Sequence, residues 1–397
     1  MSMRRGAIVG IALLAVVTVG ATYLGQSTRE PGTTLFTSCR VDASSVVPSS
    51  GAIVGVNLDW GSETLAEFSD QLGAAPATAV VFSDVPFDDE DRDNLRAAAT
   101  QVRGENSSLL VTLEPRGGLG AVTPDVADDI AALLGEISDT GVPVILRYAH
   151  EMNGSWYAWG QQPTAYRESF RLVAETLDER APGVATMWAP NYGGGYPFAG
   201  GEFESTRTSP DFRLLDTDDD GVLSMADDPY APYYPGDDVV DWVGMSLYHW
   251  GDTHPWGENE VAEPGKFADQ LTGTYVGAGG DDSAIPDFYA DYGVTAGKPL
   301  AIPETAAFVT SDAPAERALE IKRSWWSQVF SPDTAERFPQ LAMINWFEWN
   351  KYEVEVDDEV DWRVGADADI RQQFVAELPQ WVRFAPDADR CADAAGR

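Results

Sequence analysis

Val144-Ile-Leu-Arg147-Tyr148-Ala-His150-Glu151-Met152-Asn153-Gly154-Ser-Trp156-Tyr157-Ala-Trp159-Gly160 runs from an apolar segment into polar residues and then into a cluster of rings. An apolar run of strand length that breaks into Arg, His and Glu is the expected carboxyl end of a buried parallel strand. In a (β/α)8 barrel this is the end from which catalytic groups project. Sugars offer hydroxyl edges and apolar C–H faces, so a carboxylate among tryptophans suits a carbohydrate. His150-Glu151 also invites a zinc-peptidase reading, but that helix motif needs a second histidine where Gly154 stands. The chain has three histidines, His150, His249 and His254, which is thin material for a zinc centre.

Outward from this stretch, short apolar runs alternate with amphipathic ones. The runs predict strands at Ala52–Leu58, Ala77–Phe82, Ser108–Leu113, Val142–Tyr148, Val184–Trp188, Val239–Leu247, Pro299–Ile302 and Leu341–Trp346. Helical patterns fall at Ser62–Leu72, Asp91–Arg103, Pro124–Asp139, Pro163–Arg180, Pro314–Phe330 and Asp367–Leu378, several opening on capping residues or proline. Eight buried-type strands separated mostly by helices predict an α/β fold, a (β/α)8 TIM barrel with long loop insertions at its C-terminal face. Two stretches interrupt the rhythm, 192–238 and 251–282, and long loops at one end of a barrel are usually functional.

The formal charge is −38, from 26 Lys and Arg against 64 Asp and Glu, which argues against nucleic acid or anionic membrane surfaces as partners. At the amino end, Arg4-Arg5 precedes an apolar run from Gly6 to Leu24. Residues 1–30 therefore read as a signal peptide or N-terminal membrane anchor, with a possible cleavage site at Val19-Gly20-Ala21. The protein is expected to be secreted or tethered on the outer face of the cell membrane. Residues 31–50 read as a linker, 51–385 as the barrel and 386–397 as a tail. In an exported protein, two cysteines, Cys39 and Cys391, suggest a disulfide that staples the first and last elements at the barrel's closing seam.

A second carboxylate is offered by Lys298-Pro299-Leu-Ala-Ile-Pro303-Glu304-Thr305, a short apolar strand ending in Glu304. Strands four and seven lie across a barrel mouth from one another, so Glu151 and Glu304 can face each other as glycoside hydrolysis commonly requires.

Four motifs in the same order, His150–Gly154 with its tryptophans, Asp241-Trp242-Val243-Gly244-Met-Ser-Leu-Tyr248, Pro303-Glu304 and Asn345-Trp346-Phe-Glu-Trp349-Asn-Lys351, resemble glycoside hydrolase family 26, which includes bacterial β-mannanases. The resemblance spans about Ile53 to Phe374. It implies a retaining enzyme with Glu151 as acid/base and Glu304 as nucleophile. By the same resemblance His150 orients the sugar or the nucleophile, Tyr248 hydrogen-bonds the nucleophile, and Trp156 and Trp346 line the reacting subsite. Arg147 and Asn191 are expected as supporting polar groups, whereas Trp188 and Trp242 suit the core. The partner would be a mannan-like polysaccharide, with β-1,3-xylan and mixed-linkage β-glucan open. No cofactor is expected for catalysis. Ala158 departs from the aromatic-rich pattern and the 193–238 loop does not align, which bears on the subsites.

Within the insertion, Asp216, Asp218, Asp220, Val222, Ser224 and Asp227 stand at the ligand positions of a calcium loop, with Gly221 at its sharp turn. Asp227 replaces the usual bidentate glutamate. A structural calcium ion folding the long loop is the expectation, and a chance acidic run is the alternative.

Overall fold

The computed structural model describes residues 39–251, 256–386 and 391. Eight parallel strands form the barrel: β1 Ala52–Leu58, β2 Thr78–Asp84, β3 Ser108–Glu114, β4 Val144–Tyr148, β5 Ala185–Trp188, β6 Trp242–Gly244, β7 Leu300–Thr305 and β8 Leu341–Glu348. They pair in chain order, and β8 returns to β1 with Ile53 opposite Met343 and Leu58 opposite Glu348, so the sheet closes. The principal helices are α1 Leu65–Leu72, α2 Asp89–Gly104, α3 Pro124–Ser138 and α4 Pro163–Arg180 in the first half. In the second half are α5 Phe212–Leu215, α6 Lys266–Leu271, α7 Ala315–Val329, α8 Pro332–Arg337 and α9 Ala368–Glu377.

Strand periodicity decides which side chains face the barrel axis. Ile53, Val80, Leu110, Ile145, Met187, Trp242, Ala301 and Met343, one from each strand, form an inner cluster. Their neighbours Val54, Val81, Val111, Leu146, Trp188, Val243, Ile302 and Ile344 belong to the larger layer between strands and helices. Closure leaves no room for a side chain at Gly55, where an added Cβ would lie 2.0 Å from Asn345 Oδ1 and 2.6 Å from the Thr78 carbonyl. The helices start where capping chemistry allows. Thr64 with Glu67, and Asp88 with Asp91, form reciprocal capping boxes, while Thr123 precedes Pro124 at the head of α3.

The amino-terminal approach is more than a linker. Residues Ala43–Val46 form a 3-10 turn whose Ala43 and Val46 join the inner cluster, so this segment plugs the bottom of the barrel. Cys39 and Cys391 are disulfide-bonded with Cα atoms 5.7 Å apart. The bridge lies against Gly141 in the α3–β4 turn, not at the β8–β1 seam, because residues 39–43 cross the underside of the barrel from Asp139 to Gly183. Among the described residues no helix is long and apolar enough to cross a membrane. The expected signal or anchor segment lies outside the described residues, as does most of the carboxyl tail.

Both long insertions cover the carboxyl end of the strands. Tyr192 donates to Asp282 at 2.6 Å, tying the β5–β6 excursion to the β6–β7 excursion, and Tyr230 packs edge-on against Phe288. A hairpin, Asn350–Glu353 with Asp358–Asp361, follows β8 and delivers Trp362 to the same face.

Candidate active site

On β4, Ile145 and Arg147 face the axis, and the chain then turns sharply. Ala149 and Glu151 both have left-handed backbones, with φ of 46° and 53°. For residues with a Cβ this conformation costs about 1–3 kcal/mol each and persists only where surrounding contacts fix it. Here they do. Glu151 N–H donates to the Ala189 carbonyl at 2.9 Å, Trp159 Nε1 to the His150 carbonyl at 2.7 Å, and Gln161 N–H to the Met152 carbonyl at 2.8 Å. Asn153 clamps Asn191 from both sides, accepting from its N–H at 2.9 Å and donating to its carbonyl at 2.8 Å. The sequence His-Glu-Met-Asn-Gly thus aims a carboxylate back over the barrel.

Glu304 reaches the mouth by a different device. Ile302 pairs with Ile344, and Thr305 with Trp346, so β7 spends one more residue than β8 over this interval. This bulge lets Pro303 and Glu304 both turn inward, while Thr305 faces the helices and accepts from Trp325 Nε1 at 2.8 Å.

One ligand atom each of His150, Glu151 and Glu304 lies within 4.8 Å of the others. Glu304 is gripped on both oxygens, by Arg147 Nη1 on Oε1 and by the Tyr248 hydroxyl on Oε2 at 2.6 Å. The second terminal nitrogen of Arg147 donates to Ser246 Oγ at 2.7 Å. Glu151 receives Trp156 Nε1 on Oε2 at 3.1 Å. Burial pushes the Glu151 carboxyl up to about 7, and the neighbouring charge of Glu304 adds to this. Arg147, Ser246 and Trp156 pull in the opposite direction. Burial, with Arg147 and Arg116 nearby, holds His150 well below the ordinary histidine range, so its ring is neutral. His150 packs within 5.0 Å of Tyr157 and 5.7 Å of Phe82, ring centre to ring centre.

The arrangement can protonate from one side and attack from the other. Two carboxyl groups within about 5–5.5 Å are spaced for a covalent, retaining displacement, whereas inversion needs roughly 6.5–9.5 Å to admit a water. Although His150, Glu151 and Glu304 could be read as metal ligands, Arg147 already supplies the positive charge beside Glu304 that a cation would supply.

Trp156 lies beside Glu151 and edge-on to Phe198 of the insertion at 5.0 Å. Asn191 meets Ser246 in an isolated parallel bridge, and its backbone, not its side chain, makes the contacts with Asn153. Trp346 turns away from the site. It follows Asn345, whose side chain faces Gly55 inside the barrel, and so points outward, packing on Phe374 of α9 and donating to the Trp362 carbonyl at 3.1 Å. The rings that do flank Tyr248 are Phe347 at 5.8 Å and Trp362 at 5.2 Å. Strand alternation could have flagged Phe347. Trp362 had no such signal, because the hairpin brings it back. Ser246, just beyond β6, and Glu114, at the end of β3, were also missed. Trp188 and Trp242 are buried in the core.

In the insertion, carboxylate oxygens of Asp216, Asp218 and Asp227 gather within 4.8 Å of one another. Asp220 accepts instead from the Val222 N–H at 2.7 Å, and Ser224 Oγ from the Ala226 N–H at 3.1 Å. Gly221 takes φ of 80°.

The glycosyl hydrolase family 26 model matches residues 110–190, from mid-β3 through the Glu151 loop to β5. The β-1,3-xylanase TXYA of Vibrio sp is 26% identical over 231 residues, covering 55% of this chain and 42% of that protein. The mannan endo-1,4-beta-mannosidase A and B of Caldalkalibacillus mannanilyticus is 29% identical over 125 residues, 32% of this chain and 20% of that protein. The chain thus spans less than half the length of these curated relatives. Among solved structures, a double mutant of the Cellulomonas fimi endo-beta-1,4-mannanase superposes with a TM-score of 0.55. It shares 18% identity over 88% of this chain and 76% of that one, a likeness of fold. The family 26 match covers the segment from β3 to β5 that carries the Glu151 loop, and the superposition on a mannanase is a likeness of barrel fold.

Proposed function

We propose that the protein is a retaining glycoside hydrolase acting on a β-linked polysaccharide, with Glu304 as nucleophile and Glu151 as general acid/base. The observation that carries this reading is the close, unequal pair. Glu304 is held on both oxygens by donors, and Glu151 is pushed up to about 7 by burial and by Glu304 itself.

In the first step Glu304 attacks the anomeric carbon while Glu151 gives its proton to the departing glycosidic oxygen. Burial and the Glu304 charge together favour the protonated form of Glu151, and the ester removes the second of these. Glu151 can then take a proton from water as that water attacks the anomeric carbon, releasing sugar with net retention. Arg147 and Tyr248 fix the nucleophile, and Trp156 orients the acid. Neutral His150 can donate to or accept from a sugar hydroxyl.

Among polysaccharides we favour β-1,4-mannan, the substrate named for the similar Cellulomonas fimi structure, and the apolar run at residues 6–24 supports action outside the cell. β-1,3-Xylan is the second reading, since two curated relatives are named β-1,3-xylanases. A silent polysaccharide-binding protein would have no use for the bulge that turns Glu304 inward. Reducing-sugar release from mannan, β-1,3-xylan and mixed-linkage β-glucan, with Glu304→Ala as control, tests the proposal. Hydrolysis of one substrate, lost in the variant and returned by azide as an α-glycosyl azide, supports it. No hydrolysis of any, or full turnover by the variant, sinks it.

The Asp216–Asp227 loop is proposed to hold a structural calcium ion through Asp216, Asp218 and Asp227. Melting followed with calcium and then with EDTA should show a fall on chelation, and an unchanged midpoint would remove the calcium assignment.

A further inference from the structure

A third carboxylate faces the cleft, and the mechanism above does not use it. Along β3, Leu109, Val111 and Leu113 pack outward, while Leu110 is in the inner cluster. Thr112 and Glu114 therefore share the inward face, and Glu114 stands at its top, next to the strand that bears Arg147. Glu114 is only 5% exposed. Its Oε2 accepts from Arg116 Nη2 at 2.6 Å, and Arg116 Nε donates in turn to Asp84 Oδ1 at 2.6 Å. The Glu114 Oε1 atom accepts no hydrogen bond among the described residues, and it is not one of the polar atoms sealed from solvent.

The electrostatic surroundings place this group in the same site as the catalytic pair. Burial pushes the Glu114 carboxyl up to about 7, against the pull of Arg116, and the charges of Asp84 and Glu304 add to the rise. Tyr157 feels Glu114, Glu151 and Glu304 together, and His150 feels Arg116. A salt bridge built only for stability gains little from an inward carboxylate, because desolvation offsets the attraction. An acceptor fixed on one oxygen and open on the other is instead what recognition of a hydroxyl requires.

We propose that Glu114, fixed by Arg116, is a substrate-binding residue. It accepts a hydrogen bond from a hydroxyl of the sugar lying against the β2–β3 wall, and it restricts the site to uncharged glycans. The restriction follows from charge. Asp84, Glu114 and Glu304 act on one another at this side of the mouth, and Arg147 is already engaged by Glu304. Arg116, the cation beside Glu114, is shared between Glu114 and Asp84, so a uronate or carboxymethyl group placed there meets carboxylates that outnumber the guanidinium. The inference rests on the glycoside hydrolase reading and goes beyond it by naming a recognition residue and a class of excluded sugar.

The test compares wild type, Glu114→Gln and Glu114→Asp on whichever of β-1,4-mannan, β-1,3-xylan or mixed-linkage β-glucan the wild type cleaves fastest. The same polymer, lightly carboxymethylated, serves as the charged substrate. Loss of one hydrogen bond to a charged group should raise KM about tenfold or more in Glu114→Gln, with a smaller fall in kcat. The preference for the neutral over the carboxymethylated polymer should shrink in the same variant. Glu114→Asp keeps the charge but withdraws the acceptor, so KM rises while the preference stays. It also serves if the glutamine variant does not fold. A KM and a preference equal to wild type's, with only the melting temperature lowered, would mark a structural ion pair and overturn the inference. Glu304→Ala, run alongside, separates the two failures. If that variant still hydrolyses the neutral polymer, the reading of the whole site falls, whatever Glu114 does.

Discussion

The ends of β4 and β7 each present a glutamate to the same few ångströms, yet they are built in opposite ways. After β4 the chain enters left-handed backbone at Ala149 and Glu151, and the carboxyl meets an indole N–H while buried beside a negative charge. On β7 the backbone stays extended through a bulge, and the carboxyl meets a guanidinium and a phenol. One environment favours the protonated acid and the other supplies donors to a carboxylate. The comparison shows how one residue type can fill two roles through its neighbours alone.

The comparison breaks most visibly at Glu151. Replacing it with alanine should slow polysaccharide cleavage by about 100- to 10,000-fold, the usual worth of a placed acid/base. Activity toward an aryl glycoside whose leaving group needs no proton should suffer far less in its first step. Equal losses on both substrates in steady-state and burst measurements would contradict the acid role.

A subtler change sharpens it. Trp156 Nε1 stabilises the ionised form of Glu151, so Trp156→Phe should raise the pKa of that carboxyl further. The acid must be protonated for the first step, and kcat/KM should therefore fall as pH rises through about 7 in the wild type. In the variant that alkaline limb should lie at higher pH. A limb that stays put, or moves down, would place the titrating group elsewhere.

The smallest effect on rate is expected at Trp346. Its ring faces Phe374 rather than the sugar, so Trp346→Phe should lower the melting temperature and leave KM close to wild type. The expected cost is on the order of 1–3 kcal/mol, as for a partial large-to-small change in a packed core. A large rise in KM without destabilisation would return Trp346 to the cleft.

Trp346 also shows where sequence reading stopped. The eight strands were legible because fully buried parallel strands are short apolar runs, and several helices announced themselves by a capping residue or an early proline. Arg147 and Glu151 could be placed because each ends or follows such a run, whereas His150 and Tyr248 were assigned their roles by the family resemblance. Trp346 was set in the subsite by resemblance, although Asn345 beside it takes the inward position and alternation forces Trp346 out. The inward turn of Glu304 depends on the bulge at 303–304, which shows only when β7 is paired with β8. Glu114 escaped notice because Glu-Pro-Arg at a strand end has the composition of an ordinary surface turn. Trp362 reaches Tyr248 through a hairpin whose acidic, polar sequence carries no sign of the site. Long-range pairing, not local pattern, determined each of these positions.

The central assignment is that Glu304 becomes covalently bound to the sugar. The most direct measurement is peptide mapping by mass spectrometry after incubation with a 2-deoxy-2-fluoro β-glycosyl fluoride matching the preferred polymer, which slows release of the intermediate. The assignment predicts one added glycosyl group on the peptide containing Pro303-Glu304-Thr305, cleared when an acceptor sugar is supplied. Hydrolysis of the reagent with no adduct, or an adduct carried by Glu151 or Glu114, would contradict it.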